Sequence, residues 1–373
     1  MLVGMRSDID NRINMSEIKV VIDGVGSCIP DNVIKNEDFL NAEFYQENGE
    51  PFEADNAVII EKFKSITGIQ ERRYANNDQA TSDLAAIAAE NALTNSSING
   101  EDLDYIIMAH NFGDISYKSN RSDMMPSLAA RVKNKLGIKK PSLTCFDVIF
   151  GCPGWLQAAI QATQMIKSGE ATNILVIGAE AISRIVDKYD RNSMIFSDGA
   201  GATIFRAAPE HTNGGVLSQS SRTDADAELD YLAMGPSYNP NMNGGGMYIK
   251  MLGRKIYEYA LLTVASGIKD AMDKAGVGLS DIHKIMIHQA NEKMDEAILK
   301  KLFKLCGETR DMHEIMPMTI QTLGNSSVAT IPTMLDLVLR KQLEGHEVNS
   351  GDVIVFASVG AGMHINAMVY KMP

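Results

Sequence analysis

The chain has little of what stabilises small secreted proteins or binds polyanions. Its 373 residues include only four cysteines and one tryptophan, and its 35 lysines and arginines are outnumbered by 47 aspartates and glutamates. No apolar run approaches the roughly 18 residues that cross a bilayer. The net charge of -12 argues against broad affinity for nucleic acid, which rests on basic side chains that neutralise phosphates. We therefore expect no nucleic-acid partner and no membrane insertion.

The four cysteines do not have the spacing of a metal site or a disulfide framework. Cys28, Cys145, Cys152 and Cys306 form no CxxC pair, and no histidine pair stands at zinc-binding spacing. We expect no metal and no permanently bound cofactor. The first 14 residues are largely polar and lack the apolar segment of a secretory signal, so a cytoplasmic location is expected. Any cysteine chemistry should then involve a free thiol.

Phosphate-binding loops are also absent from the sequence. There is no GxxxxGK[ST], and no GxGxxG follows a strand and opens a helix. The glycine-rich segment 208–253 is instead typical of a hairpin and loops.

Short apolar runs rich in Val, Ile and Ala alternate with amphipathic stretches of helical length, which indicates an α/β fold. The order strand, helix, strand occurs twice. The predicted elements are 103–110, 151–168 and 173–179 in the first half, and 282–288, 325–342 and 352–358 in the second. This repetition predicts a duplicated topology with an N-terminal extension at 1–18, a first half at 19–207 and a second half at 208–373. It also places Cys152 and Asn325 at matching helix starts.

Cys152 lies between an apolar, strand-like run and a helical pattern. Pro153 suits the first helical position, because its missing N–H would have no partner there. Cys152 is then predicted at the helix N-cap, where unpaired N–H groups and the helix dipole favour a thiolate. A buried structural cysteine explains the same context equally well.

Two more polar residues border the predicted sheet edge. His288 closes an apolar strand, and open α/β sheets place their sites at the carboxyl ends of such strands. Asn325 stands in the turn-like segment 324–327. Taken singly, a structural histidine and an ordinary helix cap explain them. A thiol, an imidazole and a carboxamide at one edge point instead to thioester acyl transfer or to cysteine-protease hydrolysis.

The protease alternative has one point in its favour. The separation of Cys152 and His288 falls within the roughly 130–150 residues expected of papain-like enzymes. However, papain-type cysteines stand in C-G-[SA]-C-[WY] near the mature N-terminus, whereas Cys152 lies deep in the chain and lacks the second cysteine of that motif. Acyl transfer is therefore the favoured chemistry.

Three motifs together resemble the β-ketoacyl-acyl-carrier-protein synthase III family of the thiolase superfamily. They are residues 146–154 around Cys152, His288-Gln289-Ala290-Asn291, and Gly324-Asn325-Ser326-Ser327 with Ala329 and Pro332. The match runs with gaps from about residue 19 to residue 370. The resemblance implies a thiolase-like fold, in which two βαβαβ halves form a five-layered αβαβα core.

The resemblance also implies a reaction in two stages. Cys152 would take an acyl group from an acyl-coenzyme A or acyl-carrier-protein thioester. His288 and Asn325 would then stabilise the enolate that forms as a malonyl thioester loses carbon dioxide. Hydrogen-bond donors aimed at an oxygen that becomes negative contribute about 2.7–4 kcal/mol each. The backbone N–H groups of Cys152 and Ala361 would form the second oxyanion hole.

The residues implied to contact substrate depart in part from the family. Lys62 and Ile66 stand where the family has the tryptophan and arginine that grip coenzyme A, so the resemblance does not extend to that grip. Arg184 matches a further family arginine and, with Arg254, is expected to bind substrate. Met125 falls where the family places a residue that reaches the partner subunit's acyl tunnel, and a homodimer is implied. The segments 41–57 and 112–123 are longer than is usual in the family.

A stripe of lysines follows His288. Lys293, Lys300 and Lys304 share one face of the predicted helix. A solvated helix face explains them without any function. In so acidic a chain, basic residues next to the site also suit docking of an acidic acyl carrier protein, which we expect as a partner.

Two other functions stay open on the sequence. One is a specialised synthase III-like enzyme of secondary metabolism that uses carrier-bound acyl or β-ketoacyl chains, or passes acyl groups to another nucleophile. The other is an inactive scaffold subunit that pairs with an active condensing enzyme. The intact set of Cys152, His288 and Asn325 argues against the scaffold.

Overall fold

Two mixed β-sheets form the frame of the protein. The computed structural model describes residues 18–242 and 245–373, so the predicted extension at 1–18 lies outside the described residues except for its last position. The strands are β1 (Lys19–Cys28), β2 (Asn32–Lys35), β3 (Glu71–Tyr74), β4 (Tyr105–Ala109), β5 (Asp114–Ile115), β6 (Ser122–Asp123), β7 (Thr144–Val148), β8 (Asn173–Glu180), β9 (Gly199–Ala208), β10 (Gly215–Thr223), β11 (Leu232–Gly235), β12 (Tyr248–Met251), β13 (Ile282–Ile287), β14 (Val353–Gly360) and β15 (His364–Lys371). The helices are α1 (Asn56–Thr67), α2 (Thr81–Thr94), α3 (Leu128–Lys135), α4 (Gly154–Lys167), α5 (Gly253–Ala275), α6 (Glu292–Cys306), α7 (Met312–Ile315), α8 (Ile320–Leu323) and α9 (Thr330–Leu339).

The second sheet repeats the topology of the first. The first has the order β1-β9-β8-β4-β7, and the second has the order β10-β15-β14-β13. In each sheet the first two pairings are antiparallel, and the pairings that follow are parallel. The second sheet lacks only a counterpart of β7. The predicted duplication is therefore confirmed.

Five layers result from the way the helices cover these sheets. Helices α4 and α9 lie between the two sheets and share one hydrophobic cluster with both. The outer face of the first sheet is covered by α2 and α3, and that of the second by α5 and α6. Trp155 of α4 spans the central layer, since its ring lies 5.8 Å from Phe356 of β14 and 6.5 Å from Phe205 of β9. The expected αβαβα arrangement is confirmed.

The two central helices begin later than the sequence indicates. The helix predicted at 151–168 starts at Gly154 with Pro153 as its N-cap, and the one predicted at 325–342 starts at Thr330 after a 3₁₀ turn. The cause is left-handed backbone ahead of each helix, at Gly151 (φ 63°) and Ser327 (φ 54°), which a regular α-helix does not accommodate. Cys152 and Asn325 therefore lie in turns, and the prediction that Cys152 is the N-cap is wrong.

The strands agree more closely with the sequence. β4, β8, β13 and β14 fall within or beside the predicted ranges, and β11 and β12 form a hairpin in the segment 208–253. β10 was missed, because its serine-rich sequence does not resemble a buried strand although it pairs with β15. The predicted boundary between residues 207 and 208 falls at the end of β9 and stays a prediction. In the described part of the chain, none of the helices is long and apolar enough to cross a membrane.

Candidate active site

An inner cavity of about 350 Å³ lies where the ends of several strands meet the turns before α4 and α9. Cys152 comes from the turn between β7 and α4, and Asn325 from the turn ahead of α9. His288 follows β13 directly, and Ala361 follows β14. All four line the inner cavity, whose walls are otherwise mainly apolar. The fold thus brings together every residue that the sequence proposes for catalysis.

The turn that carries Cys152 is packed tightly against the turn that carries Ala361. A β-carbon added at Gly360 would lie 2.4 Å from the backbone nitrogen of Cys152. One added at Gly151 would lie 2.6 Å from the backbone nitrogen of Ala361. Only glycine allows so close an approach of two backbones. The N–H groups of Cys152 and Ala361 are therefore neighbours, as the predicted second oxyanion hole requires, and their role stays a prediction.

Asn325 is held by its backbone and by one end of its side chain. Its N–H donates to the carbonyl of Ile195 at 3.0 Å, and its carbonyl accepts from the N–H of Ser197 at 2.8 Å. The side-chain oxygen Oδ1 accepts from the N–H of Ser327 at 2.8 Å. Among the described residues, nothing accepts a hydrogen bond from Nδ2, so this amide group is left to donate to a ligand.

His288 is buried and electrically neutral. The backbone N–H of His288 donates to the carbonyl of Ala357 at 2.8 Å, which fixes the backbone at the end of β13. Burial lowers the pKa of His288 to about 4, so the ring is uncharged at neutral pH. Its Nδ1 has no hydrogen-bond partner within the described residues. A neutral imidazole carries one N–H donor, and such a donor suits an oxygen that gains negative charge.

The Cys152 thiol is protonated at rest, contrary to the thiolate expected from a helix cap. Burial, with a smaller contribution from the nearby Glu180 carboxyl, raises the pKa of Cys152 to about 11. The Ser327 hydroxyl donates to Sγ at 3.4 Å and acts in the opposite direction. Helix α4 also begins two residues beyond Cys152, so the sulfur does not cap it. Loss of solvation is therefore the main cause of the raised pKa.

Three residues beside the sulfur were not identified from the sequence. Asn111 donates from Nδ2 to the Ser327 hydroxyl at 3.3 Å, and its backbone N–H donates to the Glu180 carboxylate. Burial raises the pKa of Glu180 to about 7. Asn111 follows β4 and Glu180 ends β8, which are neighbouring parallel strands. The rule that singled out His288, a polar residue at the carboxyl end of a buried strand, also applies to both.

An outer cavity of about 390 Å³ adjoins the inner one and shares Asn325 with it. Its lining includes the cations Lys62, Arg191 and Arg254, together with Ile66. The Arg254 side chain is 91% exposed and pairs with Glu258 at 2.9 Å. Lys62, Ile66 and Arg254, which the sequence relates to binding of a coenzyme or carrier arm, thus line the same cavity as Asn325. Arg191 is a further cation in that lining.

Arg184 and Met125 lie away from both cavities. The Arg184 guanidinium donates to the backbone carbonyls of Ala75 and Asn76, at 3.2 and 2.7 Å, and stands 4.8 Å from the Tyr117 ring. These contacts brace the loop after β3. Met125 is 86% exposed. Substrate binding by these two residues stays a prediction.

The predicted lysine stripe lies on helix α6. Lys293, Lys300 and Lys304 are exposed on this helix, which begins four residues after His288, and Lys300 pairs with Glu296 at 3.3 Å. No group of three or more His, Cys, Asp and Glu side chains in the described ranges is placed to hold a metal.

Known proteins match the chain over nearly its whole length. The family described as 3-oxoacyl-[acyl-carrier-protein] synthase III matches residues 146–225, and its C-terminal counterpart matches residues 272–372. The β-ketoacyl-[acyl-carrier-protein] synthase III of Clostridium acetobutylicum is 33% identical over 363 residues, which cover 96% of this chain and 99% of the relative. The chain belongs to the β-ketoacyl-[acyl-carrier-protein] synthase III family.

Solved structures of synthase III enzymes have the same fold. The crystal structure from Aquifex aeolicus has a TM-score of 0.76 and 28% identity, and covers 95% of this chain and 99% of that one. The enzyme from Pseudomonas aeruginosa has a TM-score of 0.78 and 25% identity, with coverage of 95% and 98%. The thiolase-like fold and the synthase III resemblance are confirmed, and the protein is a condensing acyltransferase. The papain-like alternative is thereby rejected.

Proposed function

We propose that the protein carries an acyl group on Cys152 and joins it to a malonyl thioester with loss of carbon dioxide. The observation that carries this proposal is the convergence of Cys152, His288 and Asn325 on one largely apolar cavity. A thiol at the end of an apolar chamber suits the transfer of an acyl chain. The substrates would be acyl and malonyl thioesters, and no resident cofactor takes part in the steps proposed.

In the first stage the sulfur of Cys152 attacks the donor carbonyl. A bond forms between Sγ and the acyl carbon, the bond to the donor sulfur breaks, and the Cys152 proton leaves on the departing thiol. The carbonyl oxygen becomes negative during this attack. The adjacent N–H groups of Cys152 and Ala361 would donate to it, and two such donors stabilise an oxygen that becomes negative.

In the second stage a malonyl thioester replaces the departed thiol. As the carboxylate leaves as carbon dioxide, its electron pair moves to the thioester oxygen and forms an enolate. His288 and Nδ2 of Asn325 are proposed to donate to that oxygen. The enolate carbon then attacks the acyl carbon on Cys152, the thiolate leaves, and it takes up a proton from water to restore the thiol.

Product formation tests this reaction as a whole. The purified protein, supplied with an acyl donor and malonyl carrier protein, is expected to release carbon dioxide and to form a longer 3-oxoacyl-carrier protein, detected by mass spectrometry. Acyl transfer to another acceptor without release of carbon dioxide would contradict condensation. That result would favour the specialised alternative.

We further propose that an acyl carrier protein delivers the substrates across helix α6. The exposed Lys293, Lys300 and Lys304 lie on the helix that starts beside His288. The cations of the outer cavity suit the phosphate of a phosphopantetheine arm, since phosphate is bound by basic side chains. Arg254 and Lys62 would meet that phosphate in place of the coenzyme A grip of the family.

Charge reversal on α6 tests the docking. Lys293→Glu combined with Lys300→Glu is expected to lower kcat/KM for carrier-bound donors roughly tenfold, because the encounter loses its electrostatic attraction. The same variant should use a small acyl-cysteamine thioester as well as the wild type does. Lys139→Glu changes an exposed lysine after α3 and is the matched control. An equal loss for carrier-bound and small donors would contradict the docking proposal.

A homodimer is proposed through the edge of the first sheet. β7 pairs with β4 on one side only, so its other edge is open among the described strands. Ile149, just after β7, is 59% exposed, and Met125 is exposed as well. Open strand edges and large exposed apolar side chains are typical of association surfaces.

A location in the cytoplasm also remains a proposal.

A further inference from the structure

Ser327 touches two of the three residues proposed for catalysis. Its backbone N–H donates to Oδ1 of Asn325, and its hydroxyl donates to Sγ of Cys152 at 3.4 Å. It stands in the second half of the chain, whereas Cys152 stands in the first. A single serine therefore links the nucleophile to one of the proposed enolate donors.

The backbone of Ser327 is held in a conformation that serine rarely adopts. Its φ is 54°, in the left-handed region that glycine occupies at little cost. Strained residues of this kind cluster at functional sites, where the surrounding structure holds them in place. A glycine would fit this backbone better, so the serine side chain itself is the feature to explain.

Asn111 sets the direction of the Ser327 hydroxyl. Nδ2 of Asn111 donates to Oγ of Ser327 at 3.3 Å, which occupies the accepting side of that oxygen and leaves its proton to point at the sulfur. Asn111 is itself held by the hydrogen bond from its N–H to the fully buried Glu180 carboxylate. The other carboxylate oxygen, Oε2, has no partner among the described residues.

We propose that Ser327 assists the reaction directly: its hydroxyl, oriented by Asn111, stabilises the negative charge that Cys152 acquires when it attacks. Ser327 keeps its own proton and forms no covalent bond. The benefit to thioester attack rests on the proposed function, but the effect on the thiol does not. A donor to sulfur lowers the free energy of the thiolate relative to the thiol, and hydrogen bonds to charged groups are stronger than those to neutral ones.

Glu180 acts on the same sulfur in the opposite direction. Its negative charge, when present, opposes ionisation of Cys152. Burial lowers the pKa of His288 and of His364, which line the same cavity, so both are neutral at neutral pH. Asp198 carries a charge that acts on Glu180 and raises its pKa. Behind Glu180, His110 pairs with Asp147 at 3.0 Å. Ser327 therefore favours ionisation of the Cys152 thiol, and Glu180 opposes it.

The test measures alkylation of Cys152 by iodoacetamide against pH, read by intact mass with peptide mapping. Ser327→Ala and Ser327→Gly both remove the hydroxyl, but only the glycine relaxes the backbone. Both are expected to raise the pH midpoint by about one unit and to slow alkylation about tenfold below it. A wild-type midpoint in both variants overturns the proposal. A shift in the alanine variant alone assigns the effect to backbone strain and also overturns it.

Two further variants sharpen the result. Ser326→Ala is the control, because the Ser326 hydroxyl lies 3.3 Å from that of Thr330 instead of the sulfur, and its midpoint should equal the wild type. An equal shift in this control would overturn the assignment to Ser327. Glu180→Gln keeps an acceptor for the Asn111 N–H and removes the charge, so its midpoint should fall, and an unchanged or higher midpoint rejects the role of Glu180. No thioester is used, so a protein that failed to condense substrates would still give this result.

Discussion

Incubation of the purified protein with a suitable acyl thioester is expected to add the mass of one acyl group, and Cys152→Ala is expected to gain none. The reason is that Sγ of Cys152 is the thiol that lines the inner cavity beside the paired N–H groups. Intact-mass spectrometry followed by peptide mapping measures both outcomes. Because nucleophile removal eliminates the covalent step, the loss of labelling should be complete.

Cys145→Ala provides the matched control for this experiment. Cys145 lies in strand β7, is half-buried, and burial raises its pKa as it does that of Cys152, but it does not line the inner cavity. Its variant should label like the wild type. An adduct that persists in Cys152→Ala, or the lack of any adduct with all carrier-bound and coenzyme A donors tried, would contradict the proposed nucleophile.

The same measurement distinguishes the donors. The outer cavity offers Lys62, Arg191 and Arg254 for a phosphate. By the family resemblance, Lys62 and Ile66 are expected to stand in place of the pair that holds the adenine of coenzyme A. Donors that carry the phosphopantetheine arm on a protein should therefore label Cys152 faster than coenzyme A donors of the same chain length.

His288→Ala and Asn325→Ala are expected to accept the acyl group on Cys152 yet to lose decarboxylation of malonyl thioester by about 10²–10³-fold each. The two donors are assigned to the enolate oxygen, which exists only in the second stage. Acyl loading is read by intact mass, and decarboxylation by release of carbon dioxide from malonyl carrier protein. The separation of the two stages makes the prediction specific.

Ser326→Ala is a suitable control here as well, since it neighbours Asn325 and leaves the backbone contacts of Asn325 in place. It should retain both stages. If His288→Ala or Asn325→Ala decarboxylated at the wild-type rate, enolate stabilisation would have to come from other groups. If either variant failed to load acyl groups although it was folded, its role would extend to the first stage.

The fold was largely predictable because its central strands are written into the sequence as apolar runs. β4, β8, β13 and β14 are buried almost throughout, so their runs stand out from the surrounding polar residues. The starts of helices α4 and α9 were harder to predict from the sequence. The positive φ of Gly151 and Ser327 arises in turns where the two halves pack together. A positive φ is rare for serine, so the residue type of Ser327 does not predict it.

The site was predictable to the extent that its motifs are local. Cys152, His288 and Asn325 each stand in a short recognisable segment, whereas the contact of Ser327 with Cys152 joins residues 175 positions apart. The direction in which the pKa of the thiol shifts was not predictable for the same reason. The helix dipole is a local property, but the burial that raises the pKa of Cys152 depends on the whole fold.

Because Gly360 packs closely against the turn that carries Cys152, catalysis depends strongly on the relative position of the two halves. Cys152 belongs to one half, and Ala361, His288 and Asn325 belong to the other. The space between the two turns is too small for even a methyl group. A small slip of one sheet along the other, too slight to expose Trp155 or to unfold either half, would still separate the two N–H groups. Activity should therefore fail earlier than structure when the central helical layer is loosened.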